Sequence, residues 1–118
     1  MAVRRIVANI ATPDPGALAR FYRDVFDLNT GMDMGWIVTL TGEGGQTAQA
    51  SFMSQGGSDT PVPALSIEVD DIDACLARVR ALGLTPDYGP ADEPWGVRRF
   101  YLRDPAGTLI NVLSHRAS

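Results

Sequence analysis

From Arg4 to Ala11 apolar and polar residues alternate, with Ile6, Ala8 and Ile10 on one face and Val7 and Asn9 on the other. That period of two predicts a strand with one face against a core. Thr12-Pro13-Asp14-Pro15 follows. Asp14 suits the N-cap of a helix, and Pro15 suits the first helical position, where its missing N–H costs nothing. The predicted helix runs to about Asp27. Leu18, Phe21, Tyr22, Val25 and Phe26 have the spacing of a core-facing stripe, with Arg20, Arg23, Asp24 and Asp27 opposite. Strands are predicted at Leu28 to Thr30, Gly35 to Thr41 and Thr47 to Ser54, with Glu43-Gly44-Gly45 turning between the last two.

The same order then recurs. Gln55 to Pro61 is polar and rich in glycine, and reads as a flexible linker. Pro63 to Val69 alternates, with Leu65, Ile67 and Val69 on one face and Ala64, Ser66 and Glu68 on the other. Asp70-Asp71 caps a second helix whose inner stripe is Ile72, Cys75, Leu76 and Val79, stopped by Gly83. A short strand is predicted at Thr85 to Tyr88, then a loop over Gly89 to Gly96. Val97 to Arg103 and Leu109 to Ser114 read as strands joined by an Asp104-Pro105-Ala106-Gly107 turn. The pattern is strand, helix, three strands, written twice with little identity between the copies. It predicts one domain over residues 1–118, with module one at about 3–55, the linker at 55–62 and module two at about 63–115. Each helix covers one face of its sheet, so the other face must be buried elsewhere or line a cavity.

Composition narrows the chemistry. Apolar residues make up 45% of the chain and charged residues 20%, enough for a packed core without staples. Fourteen acids against ten bases leave a net charge of -4, against nucleic-acid binding, which needs surplus cations. All ten bases are Arg, so no lysine is present to form a Schiff base or a P-loop. The single Cys75 forms no internal disulfide or Cys-based zinc cluster, and the single His115 forms no His pair. No leader pattern opens the chain, and no apolar run approaches the roughly 18 residues needed to span a bilayer. The expectation is a cytoplasmic protein with no membrane partner.

Three segments carry a family resemblance: Asp14 through Phe21-Tyr22-Arg23-Asp24, Ser66 through Ile72, and Phe100-Tyr101-Leu102-Arg103-Asp104-Pro105-Ala106-Gly107. With them the chain resembles the vicinal oxygen chelate superfamily of glyoxalases, extradiol dioxygenases, fosfomycin-modifying enzymes and bleomycin resistance proteins. The resemblance implies an α+β fold of two βαβββ modules, whose curved mixed sheets surround a pocket with the helices packed outside. Ile6, Ala8, Ile10, Leu65, Ile67, Val69, Ile110 and Val112 would then meet the helices. Val7, Asn9, Ala64, Ser66, Glu68, Arg99, Tyr101, Leu109, Asn111 and Leu113 would face the pocket.

Enzymes of this superfamily typically hold a divalent metal through a His on the first strand, a His opening the second module and a Glu on the last strand. The matching positions here are Val7, Ala64 and Asn111. Valine and alanine offer no lone pair, and a neutral amide oxygen is a weak ligand beside a carboxylate. A slip of two residues would place Asn9 and Ser66 there, which rescues no site. The expectation is therefore no metal, no cofactor and no catalytic residue. The alternative is a metal-dependent lyase, isomerase or dioxygenase with an atypical site.

Pro94-Trp95-Gly96-Val97-Arg98-Arg99-Phe100 resembles the run common in bleomycin-resistance-type members, which bind and sequester an antibiotic. The resemblance implies a small-molecule ligand, aromatic or cationic, and a homodimer with exchanged or edge-paired modules. The candidate binding residues are Trp36, Trp95, Tyr101, Arg99, Glu68, Asn9, Ser66, Asn111 and Met53. Trp36, Trp95 and Tyr101 can stack on rings or cations, and Met53 adds pliable apolar surface. Glu68, Asp92 and Glu93 would attract a positive ligand. Several residues have a plainer reading too. Trp95 is a lid on the core edge, Trp36 a dimer contact, and Glu68 the cross-sheet partner of Arg99. Asn9 and Asn111 satisfy backbone or water, Asp104 caps its turn, Cys75 is inert core and His115 an exposed terminal residue.

Overall fold

Asp14 and Asp71 open the two helices in the same way. Each carboxylate accepts a hydrogen bond from the backbone N–H three residues on, Ala17 and Ala74, at 3.0 Å. Such a cap satisfies one of the donors that a helix start leaves orphaned. The computed structural model describes residues 1–42 and 49–116. The predicted Glu43-Gly44-Gly45 turn, and Thr47 and Ala48 of the strand after it, lie outside the described residues.

The elements are β1 (Val3–Ala11), α1 (Pro15–Phe26), β2 (Asn29–Asp33), β3 (Ile37–Thr41), β4 (Gln49–Met53), β5 (Leu65–Val69), α2 (Ile72–Ala81), β6 (Tyr88–Asp92), β7 (Val97–Arg103) and β8 (Leu109–His115). The fold is α+β, in the order βαβββ twice. No helix among the described residues is long and apolar enough to cross a membrane.

The chain forms two compact units. In Val7–Val62, β1 pairs β4 in parallel, and β3 pairs antiparallel with both β4 and β2. Beneath α1 lies a core of Val38, Leu40, Phe52 and Ala19, with Ile10, Leu18 and Tyr22 packed against it. The other unit holds Met1–Ile6 and Pro63–Ser118. There β5 pairs β8 in parallel, β8 pairs β7 and β7 pairs β6, both antiparallel. Beneath α2 lie Val69, Ile72, Leu76, Val79, Phe100 and Val112, with Ile67, Cys75, Leu102 and Ile110 packed alongside. Both helix-side cores are wholly apolar.

Several boundaries differ from the reading of the sequence. The α1 stripe is narrower and turned: Phe21 and Val25 are 57% exposed and Phe26 60%. The contact line is instead Pro15, Leu18, Ala19 and Tyr22, because small Ala19 lets the helix approach closely. On β1, Ile6 and Ala8 are exposed and only Ile10 joins the core. The second strand begins and ends later than Leu28 to Thr30. Thr85 to Asp87 is not strand; β6 starts at Tyr88 and runs through the first half of the predicted loop. Gln55 to Thr60 folds into a hydrogen-bonded turn, with Gly56 N donating to Thr60 O at 2.8 Å and Asp59 N to Gln55 Oε1 at 2.9 Å.

Candidate functional site

Strand register decides which side chains meet, because cross-strand partners share a face. In the unit built on α2, one row on the face away from the helix reads Ser66, Asn111, Tyr101 and Tyr88 across β5, β8, β7 and β6. The next row reads Glu68, Leu113, Arg99 and Ala91.

Arg99 is the centre of this face. It is 2% exposed, and its guanidinium grips the 5% exposed Glu93 through Nη2 at 2.6 Å and Nε at 2.7 Å. Its Nη1 donates to the Tyr101 hydroxyl at 2.9 Å, and the Tyr88 hydroxyl donates to Glu93 Oε2 at 3.1 Å. Three rings surround the cation: Trp95 and Tyr101 at 4.9 Å and Tyr88 at 5.4 Å from their centroids. A buried ion pair needs such company, since bare burial of either charge costs far more than the attraction returns. Gly89 makes room for it. Its φ is +82°, and a Cβ there would stand 2.6 Å from the Arg99 carbonyl oxygen. A side chain at that position would push β6, and with it Tyr88 and Glu93, away from Arg99.

Glu68 does not pair with Arg99, because Leu113 stands between them in the row. Its carboxylate instead accepts from Arg5 and meets His115 Nδ1 at 2.9 Å. Burial pushes the Glu68 carboxyl up, but the hydrogen bonds from His115 and Arg5 outweigh it and hold the group below its ordinary value. His115 is exposed, as expected, yet tied by this contact. Asp92 lies in an exposed bridge with Arg98, which also reaches Asp73. Cys75 is half-buried, and burial raises its thiol pKa, as expected of an unreactive packing residue. Asp104 accepts from the N–H groups of Ala106 and Thr108 at 2.9 Å, the predicted turn cap.

In the row above Arg99, Asn111 is 8% exposed, and its Nδ2 donates to Ser66 Oγ at 3.1 Å. Its Oδ1 is buried and has no hydrogen-bond partner among the described residues.

The unit built on α1 presents a different inner face. Asn9, Ser51 and Thr39 form one row, in which the Thr39 and Ser51 hydroxyls bond at 2.7 Å. Met53 and Ile37 form the next row, both buried, and Val7 is buried too. Trp36 is half-buried, and its carbonyl accepts from Ser54 N at 3.0 Å.

Among the predicted residues, then, Trp95, Arg99 and Tyr101 come together, and Ser66 joins Asn111. Glu68 lies apart from the cage, and Asn9, Trp36 and Met53 belong to the other unit. Tyr88 and Glu93 are the members of the cage that the binding set lacks. Glu93 is buried because the chain turns there: its N–H donates to Val97 O at 2.7 Å, and Gly96 N donates back to Glu93 O at 3.1 Å. The signal was present in Asp92-Glu93-Pro94-Trp95-Gly96, a hairpin sequence with glycine at its end.

A divalent metal does not fit the positions the resemblance marks. Val7 and Ala64 carry no donor atom, Ala64 is exposed, and Asn111 offers one neutral oxygen. Among the described residues, no three His, Cys, Asp or Glu side chains gather as a metal site would require.

Residues 4–112 match the Glyoxalase/Bleomycin resistance protein/Dioxygenase superfamily, and the chain belongs to that family. No curated protein matches it in sequence. Solved structures share the fold at low identity. One is titled an NAD-dependent benzaldehyde dehydrogenase from Legionella pneumophila, with TM-score 0.77, 12% identity and coverage of 95% of this chain and 100% of that one. A superfamily member from Vibrio splendidus 12B01 gives TM-score 0.67 at 17% identity, covering 96% and 99%. A methylmalonyl-CoA epimerase variant from Streptomyces coelicolor, in complex with 2-nitronate-propionyl-CoA, gives 0.71 at 19%, covering 98% and 100%. At such identities the likeness is one of fold, which hosts many chemistries.

Proposed function

We propose that this chain is a metal-independent small-molecule binding protein that holds an aromatic ligand, of the antibiotic-sequestering kind suggested by Pro94 to Phe100. The observation that carries the reading is the contrast, within each unit, between the helix side of the strands and the other side. The helix-side cores are purely apolar. The opposite faces bury Arg99, Glu93 and Asn111 in one unit and Thr39 and Ser51 in the other. Buried polar groups among aromatic and apolar neighbours are what ligand surfaces use for orientation and specificity. The absence of donors at Val7 and Ala64 removes the family's metal chemistry from this reading. Because Arg99 already sits among the three rings, the ligand's own contribution is aromatic rather than cationic.

Titration calorimetry with a planar glycopeptide and with intercalator-type antibiotics tests this. Binding that EDTA leaves unchanged is the expected result. No heat and no thermal shift across the class would overturn it, as would turnover that EDTA abolishes and added metal restores.

The near-complete burial of Arg99 also favours a second reading, an accessory module whose interior is filled by its own side chains. Under that reading the same titrations are silent, and a ligand-free crystal structure has no cavity beside Tyr101.

A further inference from the structure

Asn111 stands where the superfamily's last-strand carboxylate would be, and its chemistry there is different. It sits between Ser66 and Tyr101 in one row of the sheet. Its amide nitrogen is used by Ser66, while its carbonyl oxygen is shielded from solvent and meets no donor among the described residues. A buried acceptor left unmet costs stability, so such groups are rare and call for an explanation. Here a hydroxyl and an aromatic ring flank the amide, and the one buried cation nearby, Arg99, is already compensated by Glu93.

We infer that the Asn111 carbonyl oxygen is the specificity acceptor of the ligand site, and that it selects a neutral ligand bearing an N–H or O–H donor next to an aromatic ring. This rests on the small-molecule reading above and adds the polarity of the ligand to it. An anionic group is disfavoured because its lone pairs would face the lone pairs of Oδ1. A charged donor is disfavoured because Glu93 is committed to Arg99 and Tyr88, leaving no countercharge in the row to offset its desolvation. The ring of the ligand would lie toward Tyr101, the cross-strand partner of Asn111.

The test uses benzamide, N,N-dimethylbenzamide and benzoate as probes on the full chain, with NMR observation of the Asn111 side-chain carboxamide. Benzamide is expected to bind about five- to tenfold more tightly than either analogue, the worth of one hydrogen bond. It should also move the Asn111 carbonyl carbon resonance in the direction of hydrogen-bond acceptance. Asn111→Leu keeps the shape and removes the orphaned oxygen. It should melt no lower than the parent, and it should bind all three probes with similar affinity. Equal binding of the three probes by the parent chain, with the Asn111 resonance unmoved, would refute the acceptor role and leave the small-molecule reading standing. A buried water that holds Oδ1 with and without benzamide would do the same. If none of the probes binds and the antibiotics above are silent too, the small-molecule reading itself fails.

Discussion

The two inner faces stand on the same βαβββ scaffold and have different chemistry. The face formed by β5 to β8 concentrates charge: a buried Arg99–Glu93 pair, three aromatic rings and an amide with an unmet oxygen. The face formed by β1 to β4 is neutral and small, a hydroxyl pair and an amide beside Met53 and Ile37. The helix-side cores of both units are alike, each built of apolar side chains. The two units differ instead on the faces away from their helices. In this chain the buried charge pair and the ring cage lie in the second half, and the corresponding face of the first half is small and neutral.

That asymmetry can be broken in order of effect. Arg99→Ala strands the buried Glu93 carboxylate and should cost about 3–5 kcal/mol in urea denaturation. Thr39→Val, which removes the hydroxyl bond to Ser51 in the unit built on α1, should cost only about 1 kcal/mol. Equal losses would mean that the charged cluster is not special. The paired change Arg99→Met with Glu93→Leu should recover most of the stability, since a buried ion pair often does no better than well-packed apolar side chains of similar volume.

The helices offer a second contrast. Leu76 lies in the α2 core, and Leu76→Ala should cost about 2–5 kcal/mol. Phe26→Ala on α1 should cost under about 0.5 kcal/mol, because that ring is largely exposed. A large loss at Phe26 in an equilibrium melt would mean that something covers it in solution. The caps should behave alike: Asp14→Ala and Asp71→Ala remove matched 3.0 Å bonds and should each cost about 1 kcal/mol.

The smallest effect is on pH dependence. Because the Glu68 carboxyl is held below its ordinary value when folded, its contribution is complete above the unfolded pKa. It is lost as pH falls through the lower, folded pKa. His115→Gln removes one source of that depression, so the acid-side loss of stability should start at the same pH as in the parent but be smaller and end at higher pH. An unchanged acid limb would show that the contact with His115 contributes nothing.

Much of the molecule could be read from residue order alone. The element order, both helix caps, the Asp104 turn and the α2 stripe follow from local rules, since capping and periodicity act within one turn or one strand. The α1 stripe could not be read so, because periodicity counts apolar residues and ignores size. The surface chose Ala19 for close approach over Phe21 and Val25. The lack of metal donors in the side chains of Val7 and Ala64 was legible, as was the Pro94 to Phe100 run containing Arg99.

Pairing was decided elsewhere. Glu68 and Arg99 are both inward-facing and opposite in charge, and nothing local forbids their meeting. Register puts Leu113 between them and brings Arg5 and His115 to Glu68 instead. The turn at Glu93 returns that carboxylate to Arg99. Side-chain identity and spacing thus determined the strands, the helices and which chemical groups were available. Only the long-range hydrogen-bond ladder between strands decided which of them touch, because a partner residue is set by the alignment of distant segments.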